Sequence, residues 1–210
     1  MKRRILSSIS FILNLVLLVY ESIYIIACFV IGGNGNMANA GLGAFRYFTI
    51  DSNALAAVSA AVLLPFELIC VFSRKERNIP TAVSVLKLAG TAGVALTFLV
   101  VITFLGPTQG YDIMFEGGNY YLHGVCPVLA IISCIFFDGS KEITRKQGWP
   151  ALLPCFIYML VYLLMVIVLG GWPDFYGFNR NGLWPVTVVI ILILNTLVVM
   201  ALRKLHNIFT

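Results

Sequence analysis

Apolar residues in this chain come in long blocks rather than in alternation. Six blocks can be drawn, at approximately 5–31, 46–72, 82–105, 119–137, 151–170 and 184–202, each closed by a short polar or Gly-rich break. A helix rising ~1.5 Å per residue needs about 20 mostly apolar residues to cross the hydrocarbon of a bilayer. The pattern therefore predicts an all-α polytopic membrane protein, with residues 1–210 forming a single bundle of six transmembrane helices. The breaks are too short to hold a soluble domain, and the two halves of the chain show no visible repeat of the kind found in transporters.

The breaks differ in character. Those at 32–45, 106–118 and 171–183 are rich in Gly and Asn, with Arg46 and Arg180 as their nearby bases. Those at 73–81 and 138–150, and both chain ends, carry the basic clusters Lys2-Arg3-Arg4, Arg74-Lys75-Arg77, Lys141-Arg145-Lys146 and Arg203-Lys204. Basic residues accumulate in cytoplasmic loops, so both termini are expected in the cytoplasm and the Gly/Asn-rich loops outside. Trp149, Trp172 and Trp184 fall at block boundaries, where an indole keeps one edge wet.

Composition agrees with a lipid solvent. The chain is 60% hydrophobic and 11% charged, against about 25% charged in soluble domains, and its mean hydropathy is +0.95. The net charge of +5 is spread over the ends of apolar blocks and lacks interleaved aromatics, which argues against nucleic acid as a partner. The N-terminal "MKRR" and Ala38-Asn39-Ala40 resemble parts of a signal peptide, but the apolar run between them far exceeds a signal core of ~7–15 residues. That run is read as the first membrane helix. The five cysteines (Cys28, Cys70, Cys126, Cys134, Cys155) lie in or beside apolar blocks without a C-x-x-C pair, as apolar fillers would. No metal site and no cofactor are predicted.

Ionisable groups inside hydrocarbon are costly and mark function by default. Glu67 and Lys87 lie near the cytoplasmic ends of helices 2 and 3, where snorkelling or a mutual ion pair accounts for them; the rest of the inner half reads as almost wholly apolar. Glu21 is deeper in helix 1 with no sequence-visible partner. The stretch "YFTIDSN" is unusual, opening helix 2 with Thr49, Asp51, Ser52 and Asn53. Helix 4 enters from the same side through "NYYLHGVCP", with Asn119, His123 and Pro127. Thr49 and His123 both sit about 5–6 Å below that boundary at ~1.5 Å per residue. A hydroxyl becomes a nucleophile when a base takes its proton, and imidazole suits that role near neutral pH. Ser52 and Asn53 share a helix face with Thr49, so Asn53 could donate to an oxyanion or a substrate carboxylate, and Ser52 is a rival nucleophile. Asp51 is turned roughly 160° away from Thr49 at 3.6 residues per turn. Asn119, one turn above His123, could fix its tautomer. Pro127, one turn below, frees the His123 carbonyl from its helical bond.

These two motifs resemble the androgen-induced/ADTRP-type membrane proteins and their bacterial relatives. That family is six-helical, with a threonine heading one helix and a histidine heading a later one. Its characterised animal members hydrolyse fatty acid esters of hydroxy fatty acids, with threonine as nucleophile and histidine as base. The resemblance implies those roles for Thr49 and His123. Asn53 matches the F-T-x-x-S/T-N pattern of the bacterial branch, and Pro127 matches H-x-x-x-P. The animal members differ around Asp51-Ser52-Asn53, so no third catalytic group follows.

The expectation is thus an intramembrane lipid ester hydrolase in a bacterial plasma membrane. Its ester substrate enters from the bilayer, and the Gly/Asn-rich outer loops serve as lids. Two other classes stay open. One is a small transporter, for which polar residues should occur at several depths; the other is a non-catalytic lipid-binding protein in which Thr49 and His123 only bond a headgroup.

Overall fold

Each apolar block becomes a helix. The computed structural model describes the backbone of residues 2–30, 41–73, 78–138 and 141–210. Arg74, Lys75, Arg77 and Ala38-Asn39-Ala40 lie outside the described residues, as do the side chains of Lys2, Arg3, Arg4 and Cys28. The helices are α1 (Lys2–Val30), α2 (Phe48–Ser73), α3 (Thr81–Gln109), α4 (Tyr121–Phe136), α5 (Arg145–Val168) and α6 (Trp184–Phe209). No strand occurs among the described residues. Five of these helices are long and apolar enough to cross a membrane, and α4 is a shorter apolar helix. The protein is an all-α polytopic bundle.

The ends of several helices differ from the sequence expectation for local reasons. α5 starts at Arg145, ahead of its apolar block, because Thr144 and Gln147 form a capping box. α6 continues past its apolar block through Arg203, Lys204 and His206. Arg203 there donates to the Ile143 carbonyl at 3.0 Å, and His206 Nδ1 meets the Cys134 carbonyl at 2.8 Å. Within 106–118, where a loop is expected, the chain forms short helical turns at Gly106–Gln109 and Tyr111–Met114. A Cβ on Gly106 would stand 2.2 Å from the ring of half-exposed Tyr111, which would have to swing outward to admit it.

α3 is the axle of the bundle: 67% of its apolar span is buried, against 22–39% for the other four long spans. Its central run of Ala and Gly makes this possible. A Cβ on Gly90 would lie 2.9 Å from Ala56 Cα and 2.7 Å from Ser59 Oγ, and one on Gly93 would lie 3.1 Å from Ser52 Cβ. α2 therefore approaches α3 backbone to backbone, which fixes both its distance and its rotation.

α1 turns its polar residues inward. Ser7, Ser10, Asn14, Leu17 and Glu21, spaced three and four apart, are all fully buried, while Ile5, Ile12, Val19, Ile23 and Ile26 face outward. The half of the bundle away from Thr49 is consequently not almost wholly apolar. Asp138, at the end of α4, accepts from Ser10 Oγ (2.7 Å), Asn14 Nδ2 (2.9 Å) and Ser133 Oγ (2.6 Å). Its other oxygen lies 3.7 Å from Lys87 Nζ. The Glu67–Lys87 pair considered from the sequence is replaced by a Lys87–Asp138 pair, and Glu67 Oε1 lies 2.9 Å from Ser10 Oγ, whose one hydrogen it shares with Asp138. Asp138 reads as loop in the sequence, and only the packing of α4 on α3 brings it to Lys87.

Removing one member of a buried ion pair strands the other charge, at a cost of about 3–5 kcal/mol. Asp138→Ala should therefore lower unfolding stability in detergent by that amount. The double variant Asp138→Ala/Lys87→Met should recover part of the loss, since Ser10, Asn14 and Ser133 still lack their shared acceptor. Equal losses in single and double variants would show that the pair does not bind these helices together.

Candidate functional site

Thr49 is in the first turn of α2 and His123 in the first turn of α4, and both are buried. Thr49 Oγ1 lies 3.1 Å from His123 Nε2. The other ring nitrogen, Nδ1, lies 2.7 Å from the Met114 carbonyl. A carbonyl only accepts, so Nδ1 carries the hydrogen. In the neutral ring this leaves the Nε2 lone pair pointing at the Thr49 hydroxyl, which donates to it. Hydroxyl, imidazole and carbonyl thus form one oriented relay.

The local sequence explains the pose of His123. Residues Tyr121–Val125 form a π turn, in which the Cys126 N–H reaches back five residues to the Tyr121 carbonyl. Pro127 follows at once; it has no N–H for the His123 carbonyl, and its ring crowds that turn. The same combination recurs where the π turn Val101–Leu105 precedes Pro107. Pro127 is buried in the helix and shapes the turn that carries the imidazole.

The supporting residues fall out differently from the sequence expectation. Asn119 donates to the Ile113 carbonyl at 3.3 Å and does not set the histidine tautomer; the Met114 carbonyl does. No side chain advertises that role, so sequence inspection had no signal for it. Asn53 gives its amide to the Thr49 carbonyl at 2.7 Å and the Leu122 carbonyl at 3.3 Å. It ties α2 to α4 just below the relay, and those bonds occupy the donor expected to face an oxyanion. Ser52 also turns from His123, donating to the Thr49 carbonyl at 3.2 Å and meeting Thr97 Oγ1 at 3.0 Å. Asp51 stands apart from the relay, as its 160° offset requires, and lines a groove between α2 and α5. Glu21 is fully buried, and neither of its oxygens has a hydrogen-bond partner among the described residues.

Two spaces flank the start of α2. A chamber beside Thr49 holds about 430 Å³ of empty space counting its mouth, and is walled chiefly by apolar residues of α3, α5 and α6. The groove bearing Asp51 and Trp172 lies on the other side of Phe48 and holds about 540 Å³ counting its open face. Phe48 and Tyr158 line both, with their ring centroids 5.0 Å apart. They form the partition between groove and chamber.

The connection after α5 covers the chamber. Tyr176 accepts from the Phe48 N–H at 2.8 Å, one residue before Thr49. Desolvation pushes its phenol well above the ordinary value, so it remains a neutral hydroxyl. Asp174 ties the connection down, accepting from Tyr162 (2.6 Å), the Phe178 N–H (2.9 Å) and the Asn179 N–H (2.8 Å). This segment is a pinned aromatic cap, in contrast to the flexible lid suggested by its glycines.

Comparison with protein-family models, with curated protein sequences and with solved structures finds no match to the chain.

In ¹⁵N NMR of histidine-labelled protein, His123 should show the Nδ1–H tautomer with Nε2 unprotonated. An Nε2–H tautomer would leave no base facing Thr49.

Proposed function

We propose that the protein is an intramembrane hydrolase of lipid esters, with Thr49 as nucleophile and His123 as general base. Fatty acid esters of hydroxy fatty acids are the substrate type carried by the motif resemblance. The observation that supports this reading most directly is the buried Thr49–His123–Met114 relay beside an apolar chamber. The basic clusters at both chain ends favour cytoplasmic termini in a bacterial plasma membrane, which would put Thr49 near the outer face.

His123 Nε2 takes the Thr49 proton as Oγ1 bonds to the ester carbonyl carbon, while the Met114 carbonyl holds the charged ring through Nδ1–H. Collapse of the tetrahedral intermediate breaks the bond to the alcohol oxygen, which receives the proton from Nε2. Water, deprotonated by the same nitrogen, then attacks acyl-Thr49, and Nε2 returns the proton to Thr49 Oγ1 as the fatty acid leaves. The groove beside Asp51 provides lateral access, and the Phe48–Tyr158 partition must part to admit the ester.

Release of fatty acid from branched esters by purified protein in detergent tests the reading. Thr49→Val should abolish turnover, and His123→Ala should lower it by about 10²–10⁴-fold, the usual worth of a positioned base. Thr49→Val retaining more than a small fraction of wild-type turnover would overturn the assignment.

A small transporter is the second reading, because buried polar groups occur at the relay, at Glu21 and around Asp138. Solute flux into proteoliposomes that is lost in Glu21→Gln, with no ester hydrolysis, would favour it.

A further inference from the structure

We infer that the chamber beside Thr49 is the acyl-chain pocket of the enzyme, accepting one unbranched chain of at most about ten carbons that ends against Cys155 and Ile191. This rests on the Thr49 nucleophile reading. The side on which the chain lies follows from the direction of proton transfer. His123 must protonate the departing alcohol, so the alcohol oxygen lies on the Nε2 side of Thr49, toward α4. The acyl chain then points the opposite way. That is where the chamber lies, on the side of α3, α5 and α6, and His123 is not part of its wall.

The wall chemistry suits a hydrocarbon. Besides Thr49 and Thr97, it is built of aliphatic, aromatic and sulfur-bearing side chains such as Leu96, Val101, Leu105, Met159 and Ile191. The Thr97 hydroxyl is turned to the Gly93 carbonyl at 3.2 Å and to Ser52. An apolar lining with few polar groups is typical of a small-molecule site.

The helix directions give its floor. α5 runs from Cys155 up to Tyr162, which bonds the Asp174 cap, and α6 descends from Trp184 to Ile191. Cys155 and Ile191 are thus about two helical turns below the cap, at ~1.5 Å per residue. Along α3 the lining runs from Leu96 to Leu105, a span of about 13 Å by the same rise. An extended chain advances ~1.25 Å per carbon, from a 1.52 Å bond and an angle near 111°. End to end the lining therefore spans about ten carbons, an upper limit for a chain that starts at Thr49.

The test combines hydrolysis of straight-chain acyl esters of about four to sixteen carbons by wild type with binding of the matching free fatty acids to Thr49→Ala. Binding does not require the chemistry. Each methylene seated in the chamber should raise kcat/KM and acid affinity about fourfold, from ~0.8 kcal/mol per buried CH₂, until the gain stops at or before about ten carbons. Cys155→Phe should move that limit several carbons shorter, and Met159→Ala should move it longer, so the inference does not hang on one variant folding. Hydrolysis that is indifferent to chain length, or unmoved by both variants, would overturn the pocket and leave the hydrolase standing. Acid binding with the expected limit but no hydrolysis in any ester would keep the pocket and overturn the hydrolase. Neither hydrolysis nor length-dependent binding would overturn both.

Discussion

The close approach of α2 to α3 governs the rest of this bundle. Two glycines of α3 admit α2: a Cβ on Gly90 would collide with Ala56 and Ser59, and one on Gly93 would crowd Ser52. In lipid, helices gain little from hydrophobic burial against one another, so close van der Waals packing carries more of the association. The contact also fixes which face of α2 points where. With Ser52 against Gly93, Thr49 and Asn53 turn to α4, and the short relay to His123 becomes possible. A rotation of α2 by one residue, about 100°, would point the hydroxyl away from the imidazole.

Around that contact the bundle separates two kinds of polar burial. At one end the relay uses few groups, and the atoms that matter have defined tautomer and direction. At the other end Asp138 gathers three neutral donors and one ammonium, binding α1, α3 and α4 together. The first arrangement leaves a proton ready to move, whereas the second commits its donors to cross-helix bonds. Glu21 lies on the inward stripe of α1 and belongs to neither network.

The candidate site was partly legible before the fold was known. Thr49 and His123 stand out because each lies one turn into an apolar block, where a polar side chain needs a reason. Their common depth follows from counting residues. The roles of their neighbours did not follow in the same way. Asn53 and Asn119 have the right chemistry for an oxyanion donor and a tautomer anchor, yet both donate to backbone carbonyls. The group that orients His123 is a main-chain oxygen, which every residue possesses and no sequence pattern marks. The inward polar stripe of α1 was readable in principle, from the three- and four-residue spacing of Ser7, Ser10, Asn14, Leu17 and Glu21. It was obscured because each of these residues is isolated within an otherwise apolar run.

The sequence by itself determined the membrane-embedded class, the number and order of helices, and the two residues at the head of α2 and α4. These depend on composition and on distance along one helix, which are local properties. The tertiary structure alone decided that Lys87 pairs with Asp138, that Met114 anchors the imidazole, and that an apolar chamber opens on the far side of Thr49 from His123. Those depend on helix rotation and on which segments meet, and a helix surrounded by lipid carries no local mark of either.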